Sequence, residues 1–154
     1  MALYLTEEVE AAIAGYGERG YPDEICGLLL GKDAGGERTI RALVPIENSF
    51  EAGEQYHRYL ITPEAMFRAE RKARQAKLDV LGVYHSHPNE AARPSDYDRD
   101  HAAWTSWSYI IVSVRDGHAA EMRAWRLRED RSAFDEERLL TEPLITEASN
   151  KGEA

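Results

Sequence analysis

Residues 80–98 of the 154-residue chain read VLGVYHSHPNEAARPSDYD. The apolar run from Leu78 to Tyr84 is suited to a buried strand, and it leads directly into His85 and His87. In a strand, alternate side chains share a face, so both imidazoles can point at one spot; on a helix they would diverge by about 200°. Pro94 then signals a helix start, with Ser95 just after it and Asp98 three positions further on. Residues three apart on a helix lie on one face. Two neutral imidazoles and a carboxylate suit a tetrahedral zinc ion and leave a fourth position for water, which makes catalysis chemically available.

Two plainer readings of the same residues stay open. Ser95 and Asp98 also fit a capping box, in which the serine oxygen accepts an amide hydrogen and the carboxylate reaches back to the cap. A histidine pair in a loop rich in Pro, Asn and Ser can be solvated polar surface. The conjunction favours the metal reading: a buried-type strand ends in two same-face histidines, and a helix start presents Ser95 and Asp98 back towards them.

The spacing His85, His87, Ser95, Asp98 resembles the signature of the JAMM, or MPN+, metallopeptidases: His-x-His, seven residues, Ser, two residues, Asp, with a glutamate far upstream. The run Asp23-Glu24-Ile25-Cys26-Gly27-Leu28-Leu29-Leu30-Gly31 looks like the first strand of that family with the glutamate just ahead of it. The resemblance covers about Leu3 to Leu127. It implies an α/β fold, a mixed sheet flanked by helices of the MPN (cytidine-deaminase-like) type. It also implies one zinc ion per chain on His85, His87 and Asp98, Glu24 as general base, and Ser95 as donor to the oxyanion. Members of the family cut peptide or isopeptide bonds after the Gly-Gly tail of ubiquitin-like proteins, and compact bacterial relatives act beside sulfur-carrier proteins of that fold. A Gly-Gly-tailed carrier is therefore the expected partner, its tail bound in a narrow groove as an added strand. Action on ordinary peptides or another conjugate, or a non-catalytic zinc-binding interaction domain, are the alternatives. A zinc deaminase would need Pro-Cys-x-x-Cys, which one cysteine cannot provide, and a zincin would need His-Glu-x-x-His, which does not occur.

Composition agrees with one ordinary globular domain, at 43% hydrophobic and 31% charged residues. The net charge of −9 argues against non-specific nucleic-acid binding. No apolar stretch approaches the roughly 20 residues that cross a bilayer, and the start lacks a secretory pattern, so a cytoplasmic location is expected. The single cysteine, Cys26, reads as a small buried hydrophobe.

Along the chain, Thr6 can cap a helix from Glu7 to Arg19, with Val9, Ile13 and Tyr16 as its apolar stripe. Strands are expected over Ile25–Lys32, Thr39–Glu47, Tyr56–Ile61, Leu78–His85, Tyr109–Arg115 and Ala119–Leu127, with Asp116-Gly117 as a hairpin turn. A second helix should open at Thr62-Pro63-Glu64 and reach Lys77, its run from Arg68 forming a solvated basic face, and a short one should span Ser95–Ala103. Residues 1–128 would form the catalytic domain and 129–154 a C-terminal extension, mobile from Thr146. Within it, a helix from Ser132 to Leu140 could pack on the body or on a second copy, leaving a homodimer open. His57 and His101 read as hydrogen-bonding or surface residues, His118 as solvated, and Trp104, Trp107 and Trp125 as core or sheet-face residues, the first two near enough to rim the site.

Overall fold

A computed structural model describes residues 1–102 and 104–142. Seven strands form one mixed sheet that closes on itself: β1 (Ala2–Thr6), β2 (Cys26–Ala34), β3 (Glu37–Ile46), β4 (Asp79–Pro88), β5 (Ser108–Arg115), β6 (His118–Leu127) and β7 (Phe134–Glu142). Around the barrel the order is β1-β3-β2-β4-β5-β6-β7, and β7 returns to β1. The β1–β3, β1–β7 and β4–β5 pairs are parallel and the rest antiparallel.

Three helices accompany the sheet. In α1 (Glu7–Gly20) the Thr6 hydroxyl accepts from the Val9 amide at 3.1 Å, three glutamates crowd the first turn, and Val9, Ile13 and Gly17 turn inward. In α2 (Pro63–Gln75) Thr62 caps in the same way, with Pro63 in the first turn. The buried stripe of α2 is Ala65, Ala69 and Ala73, small residues at four-residue spacing that let the helix lie close to the sheet. Its cations from Arg68 onward are exposed, as expected. The third helix, α3 (Asp96–His101), is a six-residue piece; the expected end at Ala103 lies outside the described residues.

Two apolar cores occupy the two faces of the sheet. Leu3, Leu5, Val9, Ile13, Leu29, Ile40, Tyr84 and Ile110 form one with α1. Leu28, Leu30, Val44, Ala69, Ala73, Val83, Tyr109 and Leu127 form the other with α2. Among the described residues no helix is long and apolar enough to cross a membrane.

Three expectations need correction. Ser132–Leu140 is no helix: Phe134–Glu142 is a strand whose backbone pairs with both β6 and β1. Phe134 packs on the α2-side core and Leu139, five residues on, against the α1-side core, so a pattern that resembled one helical stripe serves two faces of a strand. Tyr56–Ile61 is no strand either, because side chains of the preceding segment take up its backbone groups, as when Asn48 Oδ1 accepts from the Leu60 amide. β1 was not anticipated at all, although Leu3 and Leu5 alternate with Tyr4 and Thr6 and are fully buried. The segment expected to be mobile, Thr146–Ala154, lies outside the described residues.

Candidate metal centre

β4 brings both histidines to one place. Val83, His85 and His87 share the α2-side face, while Tyr84 and Ser86 point to the other. β2 flanks the strand on one side, with Cys26 opposite His85, and β5 on the other, with Ser113 opposite His87. The rings are 1% and 3% exposed. Because β4 and β5 are parallel, the chain must cross over between them, and that connection starts at the carboxyl end of β4 and carries α3.

The capping box formed by Ser95 and Asp98 is present, and Asp98 also faces the two histidines. Ser95 Oγ accepts from the Asp98 amide at 3.0 Å, and Asp98 Oδ2 accepts from the Ser95 amide at 2.9 Å, a complete capping box. The same Oδ2 lies 3.1 Å from His87 Nε2 and 3.5 Å from His85 Nε2, and the two Nε2 atoms are 3.2 Å apart. The cap thus aims the carboxylate at the histidines. Ligands of a tetrahedral zinc ion with bonds of about 2.0–2.2 Å lie about 3.3–3.6 Å from one another, so edges of 3.1, 3.2 and 3.5 Å need to open by only a few tenths of an ångström at most to take the ion. His87 Nδ1 donates to the Ala91 carbonyl at 2.9 Å, which leaves Nε2 as the lone-pair nitrogen and holds the ring in ligating orientation. Tyr59 stacks on His85 with ring centroids 4.6 Å apart.

Electrostatics fit a cation at this point. Burial pushes His85 below its ordinary value and keeps it the neutral, ligating form, against the pull of Asp98. Burial also opposes charge on His87, but the Asp98 carboxylate and the Ala91 carbonyl outweigh it and raise its pKa. Asp98 is held far below the usual carboxylate range, since His85 and His87 overcome its own burial.

Glu24 stands beside the triangle, 5% exposed, with a carboxylate oxygen within 4.8 Å of the ligating atoms of both histidines. Burial pushes its carboxyl up to about 8; Asp98 and Glu90 add to the rise, and His87 and Arg58 oppose it. Its Oε1 is buried without a hydrogen-bond partner among the described residues. A buried, unpartnered carboxylate oxygen beside converging ligands is a group placed to meet a water molecule.

Sequence reasoning missed the residues that hold Glu24. Ser86, between the histidines but on the opposite face, accepts the Ile25 amide at 2.9 Å, and its own amide donates to the Ile25 carbonyl. Asn48 Nδ2 donates to the carbonyls of Glu24 and Arg58, while its Oδ1 accepts from Phe50 and Leu60 amides. The Glu24 amide donates to the Gln55 carbonyl at 2.7 Å. The only trace of this in the sequence is a small polar Ser86 between the two histidines and an amide pair in a Gly-containing segment.

The remaining singled-out residues behave plainly. Cys26 is buried, and burial first, then Glu24, push its thiol up to about 12. His57 pairs with Glu54 at 3.2 Å, His101 stacks on Tyr97 with its Nδ1 at the Tyr97 carbonyl, and His118 is exposed. Trp104 and Trp107 stack on one another beside the α2-side core, and Trp125 donates to the Ala92 carbonyl. Trp104 also lines, with Tyr59, Tyr97, Asp98 and Tyr109, a cavity of about 190 Å³ next to the centre.

The chain is similar to known proteins. Residues 6–128 match the family described as prokaryotic homologs of the JAB domain. A desampylase of Haloferax volcanii is 38% identical over 93 residues, 60% of this chain and 63% of its own length. The CysO-cysteine peptidase of Mycobacterium tuberculosis is 30% identical over 125 residues, 81% of this chain and 82% of that one. The solution structure of protein DSY2949 from Desulfitobacterium hafniense superposes with a TM-score of 0.81 at 25% identity, covering 96% of this chain and 97% of the other. AF2198 from Archaeoglobus fulgidus, a JAB1/MPN domain protein, shares the fold at a TM-score of 0.57 and 18% identity, over 92% and 97% of the two chains. The family match over four fifths of the chain, on the fold and spacing described above, establishes that this protein belongs to the JAB/MPN family, in its prokaryotic branch.

Proposed function

We propose that this chain is a zinc-dependent hydrolase of the peptide or isopeptide bond that follows the C-terminal Gly-Gly of a ubiquitin-like or sulfur-carrier protein. The observation that carries the reading is the triangle of His85 Nε2, His87 Nε2 and Asp98 Oδ2, with edges of 3.1–3.5 Å, beside the buried carboxylate of Glu24. The names of the relatives, a desampylase and a CysO-cysteine peptidase, support the substrate class.

Bound by His85, His87 and Asp98, zinc would supply a water acidified towards a pKa of about 7 and a Lewis acid for the substrate carbonyl. Glu24 takes the proton from the attacking water and hands it to the leaving amine. Its burial favours holding that proton between the two steps. Ser95 Oγ uses its lone pairs on the Asp98 amide, so its own O–H remains to donate to the developing oxyanion. Since the barrel closes, an extended tail cannot add to a barrel edge. It would pass beside Tyr59, which covers His85, held by side-chain contacts rather than by pairing along the segment 56–61, whose backbone groups are largely committed. A cytoplasmic setting belongs to the same proposal and fits the single, buried thiol of Cys26.

The test pairs metal content with mass spectrometry of a Gly-Gly-tailed carrier extended by one or more residues, using wild type and Glu24→Gln. About one zinc per chain and cleavage after Gly-Gly that Glu24→Gln abolishes are expected. Zinc without cleavage would discard the substrate and leave an ordinary peptide, another conjugate or a binding role. Absence of zinc after gentle purification would reduce the centre to a capping box beside two histidines.

A further inference from the structure

Arg58 is a cation in search of an anion. It sits in the segment between Asn48 and α2, partly buried, with its Cζ 3.9 Å from the centroid of the Tyr97 ring. Tyr97 immediately precedes Asp98 and is itself stacked on His101 with ring centroids 3.8 Å apart, so the guanidinium lies against a ring held by a second contact. The backbone of Arg58 is equally fixed: its carbonyl accepts from the same Asn48 amide that holds the Glu24 carbonyl. Its one side-chain hydrogen bond among the described residues runs from Nη1 to the His57 carbonyl at 2.8 Å. The carboxylate nearest along the chain, Glu54, pairs with His57 instead.

The guanidinium therefore keeps Nε–H and Nη2–H uncommitted, in a rigid fork suited to a carboxylate. Tyr59, the residue after Arg58, stacks on His85, and the Tyr97 ring beneath the guanidinium belongs to the residue before Asp98, so the cation stands beside the centre. A Gly-Gly tail brings no charge near its scissile bond. A single amino acid linked to that tail through its α-amine brings one, its α-carboxylate; a lysine linked through its side chain keeps its α-carboxyl in the peptide backbone, far from the bond.

Resting on the function proposed above, we infer that Arg58 binds the α-carboxylate of the residue that follows the scissile bond. The chain would then favour carriers extended by one C-terminal amino acid over side-chain conjugates. Arg58 is a specificity residue in this reading.

The test is binding to zinc-loaded Glu24→Gln protein, measured by calorimetry with two peptides that end in Gly-Gly-Ala, one as the free acid and one as the amide. At least tenfold tighter binding of the acid is expected, equivalent to about 1.4 kcal/mol. Adding Arg58→Gln should erase the difference, and adding Arg58→Lys, which keeps the charge but loses the fork, should retain part of it. Equal binding of acid and amide overturns the inference. So does a preference that survives Arg58→Gln, which would place the carboxylate on the metal, or an Arg58→Lys protein whose affinity for both peptides falls equally. Because binding is read without turnover, a wild-type protein that binds the acid selectively and cleaves nothing would remove the proposed hydrolysis and keep the anion site.

Discussion

Asn48 ties the proposed base to the segment that walls the site, and its removal should separate catalysis from metal binding. Its Nδ2 makes bonds of 3.0 and 2.9 Å to the carbonyls of Glu24 and Arg58, and its Oδ1 accepts at 3.0 and 3.2 Å from the amides of Phe50 and Leu60. Two carbonyls on one side and two amides on the other fix which end of the side chain is nitrogen. Three of these bonds are partly buried and the fourth, to Leu60, is exposed and replaceable by water. At a net contribution of about 1 kcal/mol each for the first three, Asn48→Ala should cost about 2–3 kcal/mol. That is tolerable for a domain whose stability is of order 5–15 kcal/mol. With a urea dependence of about 1–3 kcal/mol per molar, the unfolding midpoint should fall by about 1–2 M. The proposed ligands sit on β4 and α3 and make no bond to Asn48, so zinc content should stay at the wild-type value. Turnover should fall about a hundredfold, the usual consequence of displacing a reacting group by about 1 Å. Asn48→Asp should be no milder despite its equal size, because it sets a carboxylate oxygen against two carbonyl oxygens. The reasoning is refuted if the midpoint moves by less than about 0.3 M, or if zinc is lost in proportion to activity.

Other parts of the molecule make separate predictions. His85→Ala or Asp98→Ala should lower zinc stoichiometry, whereas Glu24→Gln should retain the metal and lose hydrolysis; near-normal turnover in Glu24→Gln would remove the base assignment. Ser95→Ala should cost about 1 kcal/mol as a lost cap and about 10²–10³ in rate as a lost oxyanion donor. The stability loss with full activity would confine Ser95 to capping. Chelation of zinc should lower the thermal midpoint yet leave the far-ultraviolet circular dichroism spectrum intact, since neither apolar core contains a ligand side chain. Collapse of the spectrum would show instead that the metal holds the fold. Gly82→Ala would put a Cβ 1.8 Å from the carbonyl oxygen of Ser108, its partner in β5, so β4 and β5 would have to part. Insoluble or strongly destabilised protein is expected, and a variant as stable as wild type would contradict the close approach of the two strands.

The centre was unusually legible because its chemistry is local. A two-residue spacing on a strand and a three-residue spacing at a helix start place side chains by backbone geometry alone, so His85, His87, Ser95 and Asp98 could be paired without knowing the fold. The turn at Asp116-Gly117 was equally local, since both residues adopt positive φ, 50° and 86°, as a two-residue hairpin demands. Caps at Thr6 and Thr62 belong to the same class.

What the sequence could not express was pairing between distant segments. Ala2–Thr6 is too short to announce itself, and becomes a strand because β3 and β7 offer backbone groups on either side. Phe134–Glu142 carries a spacing compatible with a helix, and unpaired edges of β6 and β1 decide otherwise. Glu24 was found only by likeness to a family, since nothing near it in sequence reveals that Asn48, 24 residues away, holds its carbonyl, or that Ser86 holds the backbone of the adjoining Ile25 from 61 residues away. Local spacing determined which atoms this protein could bring to a metal. Tertiary structure alone decided which buried carboxylate stands beside them and where Arg58, without an ion pair among the described residues, rests on Tyr97, because long-range backbone pairing and desolvation depend on neighbours that exist only once the barrel has closed.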